Sequence, residues 1–337
     1  MLKNFRKTLA KKFLDKKEKS NISFDMNKID SVLVLRDDNK IGDMIISTIL
    51  FREIKKKYPH IKIFVLCGKS NKIILQNNPY IDKIFVSHNN FWKDIFVYRE
   101  LRKLKIGLTI DFLFFRPKPQ YLLKLRIINS KFLLGICKDN YNVYDISINI
   151  DYNTQHISKI YTSILNNLGI DNPNTNYDIF LDKQSEEYGK KIKEENKNTK
   201  IIFFNTHSAS RYRTLSLEKT KEILEILYKE NFKIILNSEY DIDDKNIIIP
   251  QKDNFLKVLA LVKYSDIVLT INTSIIHAAN AFNKNLVAIY NNDFGEEKIA
   301  QVWAPNYKNA IQLISKGKGI NSIETSEIIN SLKELWR

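Results

Sequence analysis

The chain is poor in the residues that staple or punctuate a fold: its 337 residues include 2 cysteines, 7 prolines and 9 glycines. Cys67 and Cys137 are too few for a zinc ligand set or a disulfide framework, so they read as free thiols in a reducing compartment. With so little glycine there is no G-x-G-x-x-G and no G-x-x-x-x-G-K-[ST], and the dinucleotide and P-loop readings lose their main support. H-E-x-x-H and G-x-S-x-G are also missing, which removes the commonest metalloprotease and nucleophile-elbow arguments. No apolar run approaches the roughly 18 residues that cross a bilayer, and the N-terminus lacks the apolar stretch of a secretory signal. There is no fixed-period repeat. What is present, 44% apolar and 27% charged residues, excludes a disordered chain and is enough to build two ordinary domains.

Charge is abundant and lopsided. Fifty-four Lys and Arg against 38 Asp and Glu leave a formal net charge of +16. Residues 1–20 hold eight of the cations and two acids, with Leu2, Phe5, Leu9 and Phe13 recurring at helical spacing. A basic amphipathic helix of that kind can lie in an anionic membrane surface, so membrane contact is expected through residues 1–20. The remaining excess follows from a Lys-, Asn- and Ile-rich composition and does not require nucleic acid.

From Ser31 onward, short β-branched runs alternate with longer amphipathic ones. SVLVLR (31–36), IKIFVL (61–66), DKIFV (82–86), GLTIDF (107–112) and KFLLGI (131–136) read as strands, with a helix over 43–58. Periodicity fails near GIDNPNTNYDIF (169–180). It then resumes as strands at 200–205, 232–237, 246–250, 266–272 and 285–290, with helices over 217–229, 254–263 and 275–282. This pattern predicts an α/β chain of two doubly wound, Rossmann-like halves with a cleft between them. The predicted divisions are a basic N-terminal segment (1–30), a first Rossmann-like domain (31–172), a second (173–322) and a closing helix (323–337). That last helix is a candidate to pack back on the first domain.

Three strand ends carry candidate chemistry. Arg36-Asp37-Asp38-Asn39-Lys40-Ile41-Gly42-Asp43 follows the first strand, where Gly42 allows a tight turn and Asp43 opens the next helix. Asp43 is there either as a helix-start acid or as a general base facing a cleft. Asn272-Thr273-Ser274-Ile275-Ile276-His277 is another strand-to-helix turn, suited to a pyrophosphate at the exposed N–H groups. Capping by Asn272 or Thr273, with His277 satisfied in the core, is the plainer alternative. Asn205 to Arg213 places Arg211 and Arg213 in a hydroxyl-rich loop, where guanidinium groups suit phosphate oxygens. Asp241-Ile242-Asp243 has the D-x-D spacing of metal-dependent sugar transferases, but its polar surroundings favour a solvated loop.

Together these segments resemble glycosyltransferase family 9, the lipopolysaccharide heptosyltransferases and their relatives. The likeness is carried by residues 32–68 with their I-G-D turn, by NPYIDKIF (78–85), by 204–224 and by YSDIVLTINTSIIHAANAFNKNLVAIY (264–290). It implies a GT-B fold and an inverting, metal-independent transfer from a nucleotide-diphosphate sugar. The implied donor is ADP-linked, such as ADP-heptose, with no further cofactor. The same likeness implies Asp43 as the base. Arg211, Arg213, Asn272, Thr273, Ser274 and His277 would hold the diphosphate. Lys40, Arg116 and Lys118 are weaker candidates for an anionic glycolipid or oligosaccharide acceptor. It also implies work at the cytoplasmic face of the inner membrane. The chain departs from the family pattern at Asn272 (usually Asp), Ser274 (usually Gly) and Asn285 (usually Pro). The rivals are a non-catalytic sugar-binding relative and, further off, a basic nucleic-acid-binding protein. The latter would show a steep salt dependence and has no reader motif here.

Overall fold

The computed structural model describes residues 14–15, 24–114, 116–151, 154–208, 210–251, 253–292, 297–316 and 319–336. The basic segment expected to contact a membrane, residues 1–20, therefore lies outside the described residues apart from Leu14 and Asp15. The chain splits into two compact units. The first is residues 1–44, 49–151 and 159–175, and the second is 45–48, 152–158 and 176–337.

The first unit runs β1 (Ser31–Arg36), α1 (Ile41–Lys57), β2 (Lys62–Cys67), β3 (Lys83–Val86), α2 (Phe91–Lys103), β4 (Leu108–Asp111), α3 (Pro119–Ile128), β5 (Phe132–Ile136), β6 (Ile146–Ile148) and α4 (Ser158–Asn167). Its six strands are parallel, in the order β3-β2-β1-β4-β5-β6. β1 is buried along its whole length, as expected of a strand covered on both faces. Strand order reverses between β1 and β4. In a doubly wound sheet that switch point makes a crevice at the strands' carboxyl ends.

The second unit contains α5 (Lys183–Glu195), β7 (Ile201–Asn205), α6 (Leu217–Lys229), β8 (Lys233–Asn237), β9 (Ile247–Ile248), α7 (Phe255–Tyr264), β10 (Ile267–Ile271), α8 (Ser274–Ala281), β11 (Asn285–Tyr290), α9 (Glu297–Val302), β12 (Ala310–Ile314) and α10 (Thr325–Trp336). Its strand order, β12-β11-β10-β7-β8-β9, repeats that of the first sheet, with the switch between β7 and β10. The closing helix α10 is amphipathic, and the second unit accounts for its apolar face. Its apolar stripe, Ile328, Ile329 and Leu332, is buried in the second unit's own core with Leu224, Leu227 and Val287. That placement satisfies the amphipathic pattern of IETSEIINSLKELW.

Helix ends are set without much glycine. Asn129 ends α3 in the left-handed conformation (φ 55°), and its N–H donates to the Leu125 carbonyl. Among the described residues nine non-glycine positions take positive φ, and seven of them are asparagines. Asn is the side chain that tolerates this region best after Gly.

The last residue of β4 anchors a buried polar network. Asp111 is fully buried and accepts hydrogen bonds from the Tyr121 and Tyr144 hydroxyls. Burial first, and then the adjacent Asp111 charge, push both phenols far above their ordinary range. On β5, a Cβ at Gly135 would stand 2.5 Å from the Tyr144 ring. Asp111 anchors that ring, so it cannot yield cheaply. Gly135→Ala should therefore lower the stability of the first unit by about 1–3 kcal/mol, the usual cost of overpacking. A smaller urea midpoint shift than this implies would mean the ring moves freely.

Candidate active site

In the first unit the site is built around one inward-turned cation. Arg36, the last residue of β1, is 3% exposed. Its Nη2 lies 3.1 Å from Asp43 Oδ1 and its Nη1 3.3 Å from Asp38 Oδ2, and the guanidinium sits 5.1 Å from the Phe112 ring centre. Burial opposes the charge on Arg36, but Tyr161, Asp43 and Asp38 outweigh it and hold its pKa above the ordinary value. Asp38 titrates above its usual range, mainly because of burial, with Arg36 pulling it down and Asp43 pushing it up.

The loop that presents Asp43 is braced from several sides. The Arg36 carbonyl accepts from Asn71 Nδ2 at 2.9 Å, Asp38 Oδ1 accepts from the Lys40 N–H, and Asn39 Oδ1 accepts from the Ser70 N–H. Asp37 pairs at 2.8 Å with Lys124 on α3. Lys40 is the N-cap of α1 without a side-chain cap bond, and Asp43 stands third in the helix rather than opening it. The left-handed residue of the turn is Asn39 (φ 60°), not Gly42, which lies within the helix. A Cβ on Gly68 would fall 2.2 Å from Asn39 Oδ1, so close approach explains that glycine. Asp43 is 6% exposed and faces two cations, with Lys40 Nζ 3.7 Å from Oδ2. An acid in the first turn also gains from the helix dipole. Arg116 and Lys118 are exposed ahead of α3 and form no ion pair among the described residues.

In the second unit the two remaining loops meet at the switch strands. Asn205 ends β7, and its Nδ2 donates to Thr270 Oγ1 at 2.9 Å and to Thr273 Oγ1 at 3.3 Å. Asn237, which ends β8, donates to Asn205 Oδ1 at 2.7 Å. Thr273, rather than Asn272, caps α8 and accepts from the Ile275 N–H. Asn272 and Ser274 are half-buried beside it. In the loop after β7, the Ser208 N–H donates to Thr214 Oγ1 and the Ser210 N–H to Ser208 Oγ. Arg211–Arg213 form a single 3-10 turn there, with Arg211 exposed and Arg213 half-buried. Neither guanidinium makes an ion pair among the described residues. Asp241 and Asp243 are exposed on the loop between β8 and β9.

His277 sits one turn into α8, 6% exposed, edge-on to the rings of Tyr177 and Trp303. Its Nδ1 is buried without a hydrogen-bond partner among the described residues, as are Thr206 Oγ1 and Asn291 Oδ1. These three residues follow or flank the carboxyl ends of β7, β10 and β11. Unmet polar atoms gathered at such ends, beside a helix start, are what a polar ligand would satisfy.

Arg36, Asn205 and Asn237 were not assigned roles from sequence. The available signal was a polar residue ending an otherwise apolar strand, as in SVLVLR, IIFFN and KIILN.

Burial, with a smaller contribution from His156, lowers the His277 pKa from 6.5 to about 3. Folded His277 is thus neutral between about 3 and 6.5, where the unfolded chain binds a proton, so stability falls as pH drops through that window. The slope for one group is at most about 1.4 kcal/mol per pH unit. Urea denaturation of His277→Gln at pH 7.5, 6 and 5 should show a shallower pH dependence than the parent. Parallel profiles would mean that His277 is protonated in the fold.

No family model matches the chain. A curated relative, "Putative lipopolysaccharide heptosyltransferase 4" of Escherichia coli K12, is 28% identical over 338 residues, spanning 96% of this chain and 92% of the relative. A crystal structure of a family 9 glycosyltransferase from Veillonella parvula superposes with a TM-score of 0.78 at 17% identity, covering 94% of this chain and 99% of that one. Escherichia coli ADP-heptose heptosyltransferase II gives a TM-score of 0.72 at 14% identity, covering 90% and 98%. The fold is accordingly GT-B, with each sheet matching a half of that architecture. With a relative aligned over 92% of its own length, a shared fold and the ordered motifs in agreement, the chain is similar to the lipopolysaccharide heptosyltransferases of glycosyltransferase family 9.

Proposed function

We propose that the protein transfers a heptose or related sugar from an ADP-linked donor to a lipopolysaccharide, lipooligosaccharide or similar cell-surface glycan, with inversion and without a metal ion. Supporting the donor class are the E. coli relative, a heptosyltransferase by name, and the shared fold of an ADP-heptose enzyme. The observation that carries the reading is the chemistry at the two switch points. One ends in a carboxylate beside cations, the other in a helix start with unmet polar atoms and two arginines.

Transfer poses two problems: a weakly nucleophilic hydroxyl and a diphosphate that gains charge as it leaves. Asp43 serves the first as general base, taking the acceptor hydroxyl proton while that oxygen attacks the anomeric carbon. Assistance of this kind is worth about 10²–10⁴-fold. Arg36 fixes Oδ1, and we assign the proton to Oδ2, which lies towards the exposed Lys40. Arg213, with Arg211, and the N–H groups opening α8 at Thr273 and Ser274 stabilise the departing diphosphate. His277 remains neutral at working pH, so it contributes hydrogen bonding and not charge. Arg116, Lys118 and Lys40 are assigned to an anionic acceptor.

Asp43→Asn should cut transfer at least about 100-fold while leaving nucleotide affinity unchanged by calorimetry. Transfer at the parental rate removes the base assignment. In the same calorimeter Arg213→Ala should weaken nucleotide binding about tenfold. Thermal shift against ADP, UDP, GDP and CMP should favour ADP. A larger shift with another nucleotide would reassign the donor without touching the base.

A further inference from the structure

Large apolar side chains are exposed at four described positions, and two of them share one helix face: Trp92 is 72% and Phe96 69% exposed on α2. The opposite face of α2, through Tyr98 and Leu101, is buried in the first unit's core. Trp92, Phe96, Arg99 and Lys103 follow one another along the outer face at helical spacing, two aromatics and then two cations. Lys93 and Arg102 flank this stripe and are also exposed. The acid on this side, Glu100, is held by Lys103 at 2.5 Å. Bonding to Lys103 and the nearby Lys83 charge lower its pKa. The face therefore combines apolar surface with excess positive charge.

A second observation leads to the same side of the unit. The Leu14 carbonyl accepts from Arg126 on α3, and Asp15 accepts from the Val143 N–H at 2.6 Å. Arg102 of α2 reaches the Ile127 carbonyl of that same α3. The chain thus enters the folded unit beside the α2–α3 pair, and the thirteen residues ahead of Leu14 carry five cations and no acid.

We propose that the outer face of α2 is a membrane-contact surface, seating Trp92 and Phe96 in the headgroup region of an anionic leaflet while Lys93, Arg99 and Arg102 meet lipid phosphates. Aromatic side chains with wet, cationic neighbours suit that interface. Each cation near an anionic surface adds attraction that falls with salt. Two aromatics on one helix offer far less area than the roughly 800 Å² per partner of a stable protein interface, which argues against a second copy of the chain as the occupant. This inference stands apart from the donor and base assignments.

The test uses the full chain and vesicles of phosphatidylcholine with or without phosphatidylglycerol. The parent should co-sediment with the phosphatidylglycerol vesicles, and the Trp92→Ala/Phe96→Ala double variant should bind them about tenfold more weakly. Both substitutions replace exposed side chains, so the melting temperature should match the parent's. Brominated acyl chains should quench part of the parent's tryptophan emission, and that part should vanish in Trp92→Phe. Equal vesicle binding by the double variant, equal binding to both lipid compositions, or quenching that persists in Trp92→Phe would overturn the proposal. So would a concentration-dependent dimer that the double variant abolishes.

Discussion

A buried cation organises the first unit. Parallel strands covered on both faces admit polar side chains mainly at their ends, and Arg36 ends the central strand β1 with its guanidinium turned inward. An unpaired charge in that position would cost several kcal/mol, so the fold must bring acids to it. Asp38 and Asp43 come from the loop and from the first turn of α1, and their ion pairs fix where that helix begins. The carboxylate assigned to chemistry is therefore also a structural counter-ion. That double role keeps its orientation fixed before any substrate arrives.

Asn205 occupies the corresponding place in the second unit, ending the switch strand β7. Here the brace is neutral: Asn205, Asn237, Thr270 and Thr273 share hydrogen bonds across three strand ends. With neutral groups holding the turn and His277 uncharged, positive potential is left to the helix start and to Arg211 and Arg213. The two sheets thus repeat one topology and differ in what their switch strands end with. One ends in a charge pair that holds the carboxylate proposed as base, the other in an amide network that braces the turn proposed to hold the diphosphate.

Much of this was legible in the residues. SVLVLR and NLVAIY coincide with β1 and β11, because continuous β-branched runs have few other uses in a buried parallel sheet. The misses have local causes. NIIIP read as a full strand, but β9 keeps two residues: Ile249 is 51% exposed and Pro250 has no N–H to donate. β12 was missed because AIQLI is an edge strand, only partly buried and interrupted by Gln312. α5 is polar around most of its surface and packs through Ser185 and Gly189, too small to register as an apolar stripe. At the site, the sequence could mark Asp43 and the Thr273 turn as strand-end residues. It could not tell that Arg36 points inward, since an arginine closing a strand more often faces water.

Asparagine does the work that glycine does in most chains. A left-handed corner costs a residue with a Cβ more than it costs glycine, yet glycine surrenders more freedom when the chain orders. Taking these corners from Asn narrows the unfolded ensemble, which recovers part of that strain. It also leaves an amide at each bend, and at Asn39 that amide ties the loop to Ser70. A hinge made this way is a strut as well, and a glycine put there would keep the path of the backbone while loosening what the path is meant to hold.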